Sequence, residues 1–253
     1  MKTFTKDKLV VKIFPTRREM GKQAASDIKD KIVELLKSKD YINMIFAAAP
    51  SQNEVLQSLA EDKDIDFGKI NAFHMDEYIG LSKDAPQGFG NFLRAHLFGL
   101  VPFRSVNYID CTAENPRDEA ERYSKLLQEY PADIVVLGIG ENGHIAFNDP
   151  PVADFADKVA VKQVKLDEVC RQQQVNDGCF GSLDEVPSHA LTLTIPALTK
   201  ASYMFCVVPA LTKAKAVKET LEGKIGSHCP ATVLRNHSNA TLYLDSDSAS
   251  LLQ

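Results

Sequence analysis

A single α/β domain, with a mostly parallel sheet covered by helices on both faces, is predicted by three features of the sequence. Continuous apolar runs at 41–48, 134–139 and 203–208 have the composition of strands buried on both faces. Between such runs lie stretches whose apolar residues are spaced three and four apart, as Met20, Ala24, Ile28 and Ile32 are, which is the pattern of amphipathic helices. No stretch has the composition of a linker, and no internal repeat or low-complexity segment breaks the alternation.

Taken in order, 9–14 reads as a strand ended by Pro15, and 17–36 as an amphipathic helix. The run at 41–48 is a central strand, followed by the turn Ala49-Pro50-Ser51 and a helix over 52–60 with Val55, Leu56 and Leu59 inward. A short strand at 70–73 runs into His74-Met75-Asp76-Glu77-Tyr78 and a polar loop over 80–88. Residues 89–98 read as helical, a weak strand falls near 106–109, and Thr112 is placed to cap a helix over 115–130. After the strand at 134–139 come a strand at 159–164 and a short helix at 167–174. The segment 189–195 alternates with period two and meets Pro196; a buried strand at 203–208, a helix at 213–221 and a strand at 241–244 complete the chain. Strands alternating with helices throughout predict one Rossmann-like domain over residues 1–253.

The bulk properties narrow the function. A net charge of −5 argues against nucleic acid as the main partner. The first eight residues contain no apolar run that could act as a signal peptide, and no stretch is long enough to span a membrane. The cysteines at 111, 170, 179, 206 and 229 are odd in number and lack C-x-x-C spacing, so reduced thiols in a cytoplasmic protein are expected.

The most informative stretch is 133–150, where a buried strand breaks at glycines and delivers Asn142, His144, Asn148 and Asp149 within a few residues. Gly138-x-Gly140-x-x-Gly143 matches the dinucleotide fingerprint literally. That motif requires a long helix directly after the glycines, however, and Asn148-Asp149-Pro150-Pro151 stops any helix there. In a parallel sheet the C-terminal strand ends share one edge, and ligands bind in the crevice along it. Three turns qualify for that edge: 49–52, 74–78 and 141–149.

Acid–base chemistry is what these turns offer. Asp76 and Glu77 supply carboxylates, and His144 is the side-chain type whose charge changes nearest neutrality. A carboxylate base paired with a histidine acid suits proton abstraction beside a carbonyl. Ser51 and Gln52 open a helix, whose free N–H groups and dipole favour an anion such as phosphate. Lys213 and Arg171 are further candidate anion contacts. Each residue has a plainer reading: Asp76 and Glu77 as turn caps, His144 as a structural hydrogen-bonder beside Asn148, Lys213 and Arg171 as solvated surface charges. A metal set drawn from His74, Asp76, His144 and Asp149 lacks a recognised spacing, and no Gly-x-Ser-x-Gly elbow supports a serine nucleophile.

Four segments resemble the glucosamine-6-phosphate deaminase/isomerase family: 73–81 (FHMDEYIGL), 138–150 (GIGENGHIAFNDP), 166–171 (LDEVCR) and 190–195 (ALTLTI). Their order and spacing agree with the family across nearly the whole chain. The resemblance implies conversion of glucosamine 6-phosphate to fructose 6-phosphate and ammonia, with a small-molecule sugar phosphate as partner and no metal or organic cofactor. It implies that Asp76 is the base moving a proton between C2 and C1, and that His144 is the acid that opens the ring. Asn142 occupies a position that is a carboxylate in some members, and Asp149 replaces a longer Glu that tunes the histidine. Arg171 and Lys213 match the substrate-binding cations; Glu77, in the first matched segment, and Ser51 and Gln52, at the place of the family's phosphate loop, are the other candidate substrate contacts. One departure stands out: the family's Gly-Gly-Thr-Pro phosphate loop is Ala48-Ala49-Pro50-Ser51-Gln52 here, which removes bare backbone and one N–H donor. Two other readings stand beside the first: a 6-phosphogluconolactonase-like hydrolase, whose fold is related, and a non-catalytic sugar-phosphate sensor, which the altered loop and the shorter Asp149 suggest. Homo-oligomer formation is compatible with the sequence.

Overall fold

The structure, a computed structural model, describes residues 1–252. Its strands in chain order are β1 (Lys2–Lys6), β2 (Leu9–Phe14), β3 (Ile42–Phe46), β4 (Ile70–His74), β5 (Asp76–Tyr78), β6 (Ser105–Asn107), β7 (Ile134–Leu137), β8 (Val161–Lys165), β9 (His189–Leu193), β10 (Tyr203–Val208) and β11 (Ala240–Asp245). Its α-helices are α1 (Arg17–Leu36), α2 (Asn53–Glu61), α3 (Phe89–Leu93), α4 (Pro116–Glu129), α5 (Glu168–Asn176), α6 (Ile195–Thr199) and α7 (Ala214–Glu222). None of these helices is long and apolar enough to cross a membrane.

The main sheet has the order β1-β2-β11-β10-β7-β3-β4-β6. All its pairings are parallel except the edge pair β1–β2. From β3 the chain builds outward through β4 to β6, then returns to β7 on the other side of β3 and builds outward again through β10 to β11. The direction of growth therefore reverses between β3 and β7, and the loops leaving those two strands part to open a crevice. Register decides what reaches it. Phe205, Val136, Phe46 and His74 lie in one row across β10, β7, β3 and β4. The segments after those residues consequently leave the sheet at the same edge.

Both faces of the sheet are covered because its strands are apolar on both sides. In β7, Ile134 and Val136 pack in the layer with α1 and α2, while Val135 and Leu137 pack in the layer with α4, α6 and α7. Phe46 joins the first layer beside Phe98, with ring centroids 5.5 Å apart in an edge-to-face arrangement. Truncating such a fully buried Phe to Ala costs about 3–5 kcal/mol.

Some expectations need correction. The strands expected near 159–164 and 189–195 do not join the main sheet; β8 and β9 form a separate antiparallel sheet with β5, in the order β5-β9-β8. The period-two alternation of 189–195 suits an antiparallel strand better than one in the centre of a parallel sheet. The cap of α4 is Asn115, whose side chain accepts from the Arg117 amide, while Thr112 donates its hydroxyl to Asp110 instead. The helix expected over 89–98 is α-helical only to Leu93 and continues as a wider π turn over Arg94–Phe98.

Candidate active site

A cleft opens at the switch between β3 and β7. It is lined by residues from the segments after β3, β4, β7 and β10 and by α5, among them Ser51, Gln52, Asp76, His144, Gln174 and Lys213.

Asp76 reaches the cleft through a change of sheet. The chain leaves β4 at His74, passes Met75 and enters the small sheet at Asp76, where Asp76 pairs with Thr192 of β9. The Met75 carbonyl accepts from the Leu193 amide at 2.8 Å, which fixes the crossing point. His74, fully buried just before it, uses both ring nitrogens on backbone: Nε2 accepts from the Ile109 amide at 2.9 Å, so Nδ1 donates to the Asp76 carbonyl, also at 2.9 Å. Burial depresses the His74 pKa to about 4, in keeping with this neutral role. His74 is thus a brace, and the ligand set that would include it is not assembled. The Asp76 carboxyl makes no hydrogen bond to the described residues and is only 5% exposed. Burial, and next the neighbouring Glu77, push it well above the usual carboxylate range.

His144 is held from the opposite side by the glycine-rich loop after β7. Its ring lies flat against Gly140, where a Cβ would stand 2.1 Å from the ring, so only glycine fits. Gly143 turns the chain at φ +84°, which favours glycine, and a Cβ there would also strike the Cys229 sulfur. Asn142 accepts the His144 amide on Oδ1 at 3.0 Å, which orients its side chain so that Nδ2 donates to Asp149 Oδ1 at 3.0 Å. His144 Nδ1 then faces two acceptors, Asn142 Oδ1 at 2.8 Å and Asp149 Oδ1 at 3.0 Å. Nδ1 must carry hydrogen, and Nε2 is left to exchange a proton in the cleft. Burial pushes the Asp149 carboxyl up, but His144 and hydrogen bonds from His144, Asn142 and the Asp167 amide outweigh it and hold Asp149 below its ordinary value. His144, Asp149 and Cys170 present ligand-type atoms within 4.8 Å of one another, with Cys170 buried against the carboxylate. Asn148 fastens the loop to the small sheet by donating to the Ile145 and Leu193 carbonyls at 2.9 and 2.8 Å.

The other end of the cleft is built from the turn after β3 and the start of α7. Pro50–Gln52 form a 3₁₀ turn leading into α2, and Ser51 and Gln52 line the cleft there. Gln52 is fully buried; its Nε2 donates to the Val207 carbonyl of β10 and to Ser51 Oγ, each at 3.1 Å, and its Oε1 has no partner among the described residues. Lys213 closes the 3₁₀ turn before α7. It follows Ala210, which holds a left-handed φ of +84° with its amide donated to both Asp245 oxygens, at 3.1 and 3.2 Å. Such a conformation costs on the order of 1–3 kcal/mol and is typical of positions shaped by function. Burial lowers the Lys213 pKa, partly offset by Asp177 and Glu141. Among the described residues lining the cleft, Lys213 is the one Lys or Arg.

Two expected substrate contacts are elsewhere. Glu77 points away from the cleft, as alternation along β5 demands once Asp76 points in. Its carboxylate accepts the amides of Tyr78, Phe89 and Gly90 at 2.9, 3.0 and 2.8 Å, tying the 79–88 loop and the start of α3 to the small sheet. Arg171 does not line the cleft. Its guanidinium donates to the Leu183 carbonyl at 2.6 Å and the Val186 carbonyl at 2.8 Å, bracing the turn before β9. Conversely, Gln173 and Gln174 of α5 line the cleft outside every motif, and Phe147 forms its aromatic wall with Phe89, stacked 5.3 Å apart; Phe89 reads as core from the sequence and is buried, yet its ring also faces the cleft. A polar triplet Gln172-Gln173-Gln174 on a short helix after the third motif is the one signal that could have drawn attention to the two glutamines.

An α/β fold with a buried carboxyl and a carboxylate-oriented histidine on opposite walls of a cleft at the sheet's switch point defines an acid–base catalyst class. The chain belongs to the family of glucosamine-6-phosphate isomerases/6-phosphogluconolactonase, which it matches over residues 15–243. It is 34% identical over 237 residues to a glucosamine-6-phosphate deaminase of Lactobacillus delbrueckii subsp. bulgaricus, covering 93% of this chain and 96% of that one. A glucosamine-6-phosphate deaminase of Listeria innocua is 33% identical over 232 residues, covering 92% and 97%. Among solved structures, a monomeric glucosamine-6-phosphate deaminase superposes with a TM-score of 0.88 at 30% identity, covering 95% of this chain and 99% of that one. A 6-phosphogluconolactonase from Thermotoga maritima, at 21% identity and a TM-score of 0.76 over 94% of this chain and 100% of that one, shares the fold.

Proposed function

We propose that this protein is a deaminating aldose–ketose isomerase that converts glucosamine 6-phosphate and water to fructose 6-phosphate and ammonia. The observation that carries the reading is the pairing of two proton-transfer groups without other duties, the Asp76 carboxyl and His144 Nε2, across one cleft. His144 donates a proton from Nε2 to the ring oxygen as the C1–ring-oxygen bond breaks and the C1 hydroxyl releases its proton to water, while Asp149 and Asn142 hold the imidazole by Nδ1. Asp76 takes the C2 proton of the open-chain amino aldose and returns it to C1, while the C1 carbonyl oxygen gains a proton and the C2 amine gives one up, so that the ketose imine forms. The resulting imine at C2 adds water and releases ammonia. A carboxyl raised by burial is a better base near neutrality than an exposed one. The phosphate lies at the Ser51/Lys213 end, near the helix start and the cleft's ammonium. Lactone hydrolysis, the runner-up, has no need of a base at C2, which leaves the isolation of Asp76 without a purpose.

Incubation with a panel of hexosamine 6-phosphates, assayed for ammonia and ketose phosphate together, tests the reading. Equimolar appearance of both products is expected. Turnover of none of the panel, or hydrolysis of 6-phosphogluconolactone in its place, would remove it.

A further inference from the structure

The anion end of the cleft has an unusual polar inventory, and it turns on two residues one helical turn apart. Arg171 and Gln174 stand three residues apart on α5, close enough to be surface neighbours. Arg171 is committed to the carbonyls of Leu183 and Val186. Gln174 is 7% exposed and lines the cleft; its carbonyl accepts the Cys179 amide at 3.0 Å, and its side chain makes no hydrogen bond to any described residue. Its neighbour Gln173 is fully engaged by contrast: Oε1 accepts the Glu141 amide at 2.9 Å, and Nε2 donates to Asp177 at 3.3 Å.

The Gln174 primary amide carries two donors and an acceptor, and these face the cleft free of any partner among the described residues, available to a ligand there. The position of Gln174 says which end of the cleft it serves. It also lines an adjoining pocket with Ala48, Ala49 and Pro50, the segment that leads from β3 into Ser51 and α2. It therefore stands beside the rebuilt turn, where the notable changes are the loss of bare glycine backbone and the gain of Pro50.

We propose that Gln174 is a ligand-binding, specificity-determining residue: its Nε2 donates to a phosphate oxygen of the bound sugar phosphate, in place of Arg171. The anion end then combines one ammonium, Lys213, with neutral donors from Ser51, Gln174 and the start of α2. This rests on the sugar-phosphate reading above and adds which side chain reads the phosphate and with what charge.

Inorganic phosphate binding to the full chain, followed by calorimetry, tests this without requiring turnover. Gln174→Arg should tighten phosphate by about tenfold, Gln174→Glu should weaken it by at least about tenfold, and Gln174→Met should weaken it by a smaller factor. Thermal melts of each variant report on folding. The opposite signs for Arg and Glu are the signature of a residue at the anion; unchanged affinity in all three, or shifts of the same sign for Arg and Glu, would overturn the proposal. Lys213→Ala separates the two levels of inference. If it weakens phosphate while the Gln174 series has no effect, only the role of Gln174 fails; if wild-type protein binds no phosphate, the sugar-phosphate reading fails with it.

Discussion

The Asp149 carboxylate lies 3.0 Å from His144 Nδ1 and also accepts the Asn142 amide at 3.0 Å, so a single oxygen orients both side chains of the 142–144 turn. Asp149 is shorter by one methylene than the Glu the family resemblance implies at this place, and the fit is nevertheless complete. Cys170 of α5, buried against the carboxylate, fills the adjoining space.

Asp149→Asn removes the anion while keeping the shape. Turnover should fall by about 10²–10⁴, the usual loss when a proton-transfer group is mispositioned. Because the folded state holds Asp149 below its ordinary value of 3.8, its ionised form contributes stability above that value, and the contribution is lost as pH falls through the folded one. Melting curves should therefore show Asp149→Asn less stable than wild type at neutral pH, with the gap closing under acid conditions. A constant gap across pH would show that Asp149 acts by packing alone.

Gly140→Ala should inactivate without unfolding. The added Cβ would sit 2.1 Å from the His144 ring, which must swing away, while the backbone at this position needs no left-handed conformation. A loss of at least about 10² in kcat with a melting temperature within a few degrees of wild type is expected. Retained activity would mean that the ring has a second productive position.

Glu77→Gln should injure stability more than chemistry. Glu77 accepts three backbone amides that anchor the 79–88 loop, and the neutral amide replaces the two acceptor oxygens by one. A loss of about 1–3 kcal/mol is expected, read as a melting temperature lower by several degrees and faster proteolysis within 79–88. A pure loss of substrate affinity with an unchanged melt would return Glu77 to the substrate contacts.

Much of this arrangement is legible in the sequence, and the gaps have physical causes. The apolar run at 134–139 and the glycines after it announce a buried strand and an active loop because no other element tolerates that composition. Asp76, His144, Ser51, Gln52 and Lys213 all line one cleft because the sheet is parallel and each follows a strand end. Which of Asp76 and Glu77 faces the cleft is another matter. It depends on β5, a three-residue strand too short to show a period and recognisable only by its pairing with β9. The two arginine donors of residue 171 look like ligand contacts in a linear motif, and only the fold reveals the carbonyls of Leu183 and Val186 within their reach. β1 escapes notice for a related reason: Lys2-Thr3-Phe4-Thr5-Lys6 is an edge strand, exposed on most of its length, and edges need no apolar run.

Asp76 holds a cost in stability that its chemistry explains. Its folded pKa is raised, so the folded protein binds a proton more tightly than the unfolded chain; stability from this group is greatest when it is protonated and falls as pH rises through the folded value. Asp76→Asn, which cannot ionise, should melt a few degrees higher than wild type at neutral pH, and the advantage should vanish below the ordinary aspartate value of 3.8. An equal or lower melting temperature at neutral pH would indicate that the ionised carboxylate is well solvated in the cleft.

The most direct test of the mechanism is exchange of the substrate's C2 proton with solvent, followed by NMR in deuterated water with glucosamine 6-phosphate and the full-length protein. Wild type should carry solvent deuterium into substrate or into C1 of fructose 6-phosphate. Asp76→Asn should abolish that exchange while inorganic phosphate still binds with nearly wild-type affinity, because the substitution keeps the shape of residue 76 and leaves Ser51 and Lys213 unchanged. Exchange and turnover near wild-type rates in Asp76→Asn would contradict the assignment of Asp76 as the C2/C1 base, and with it the account of this cleft.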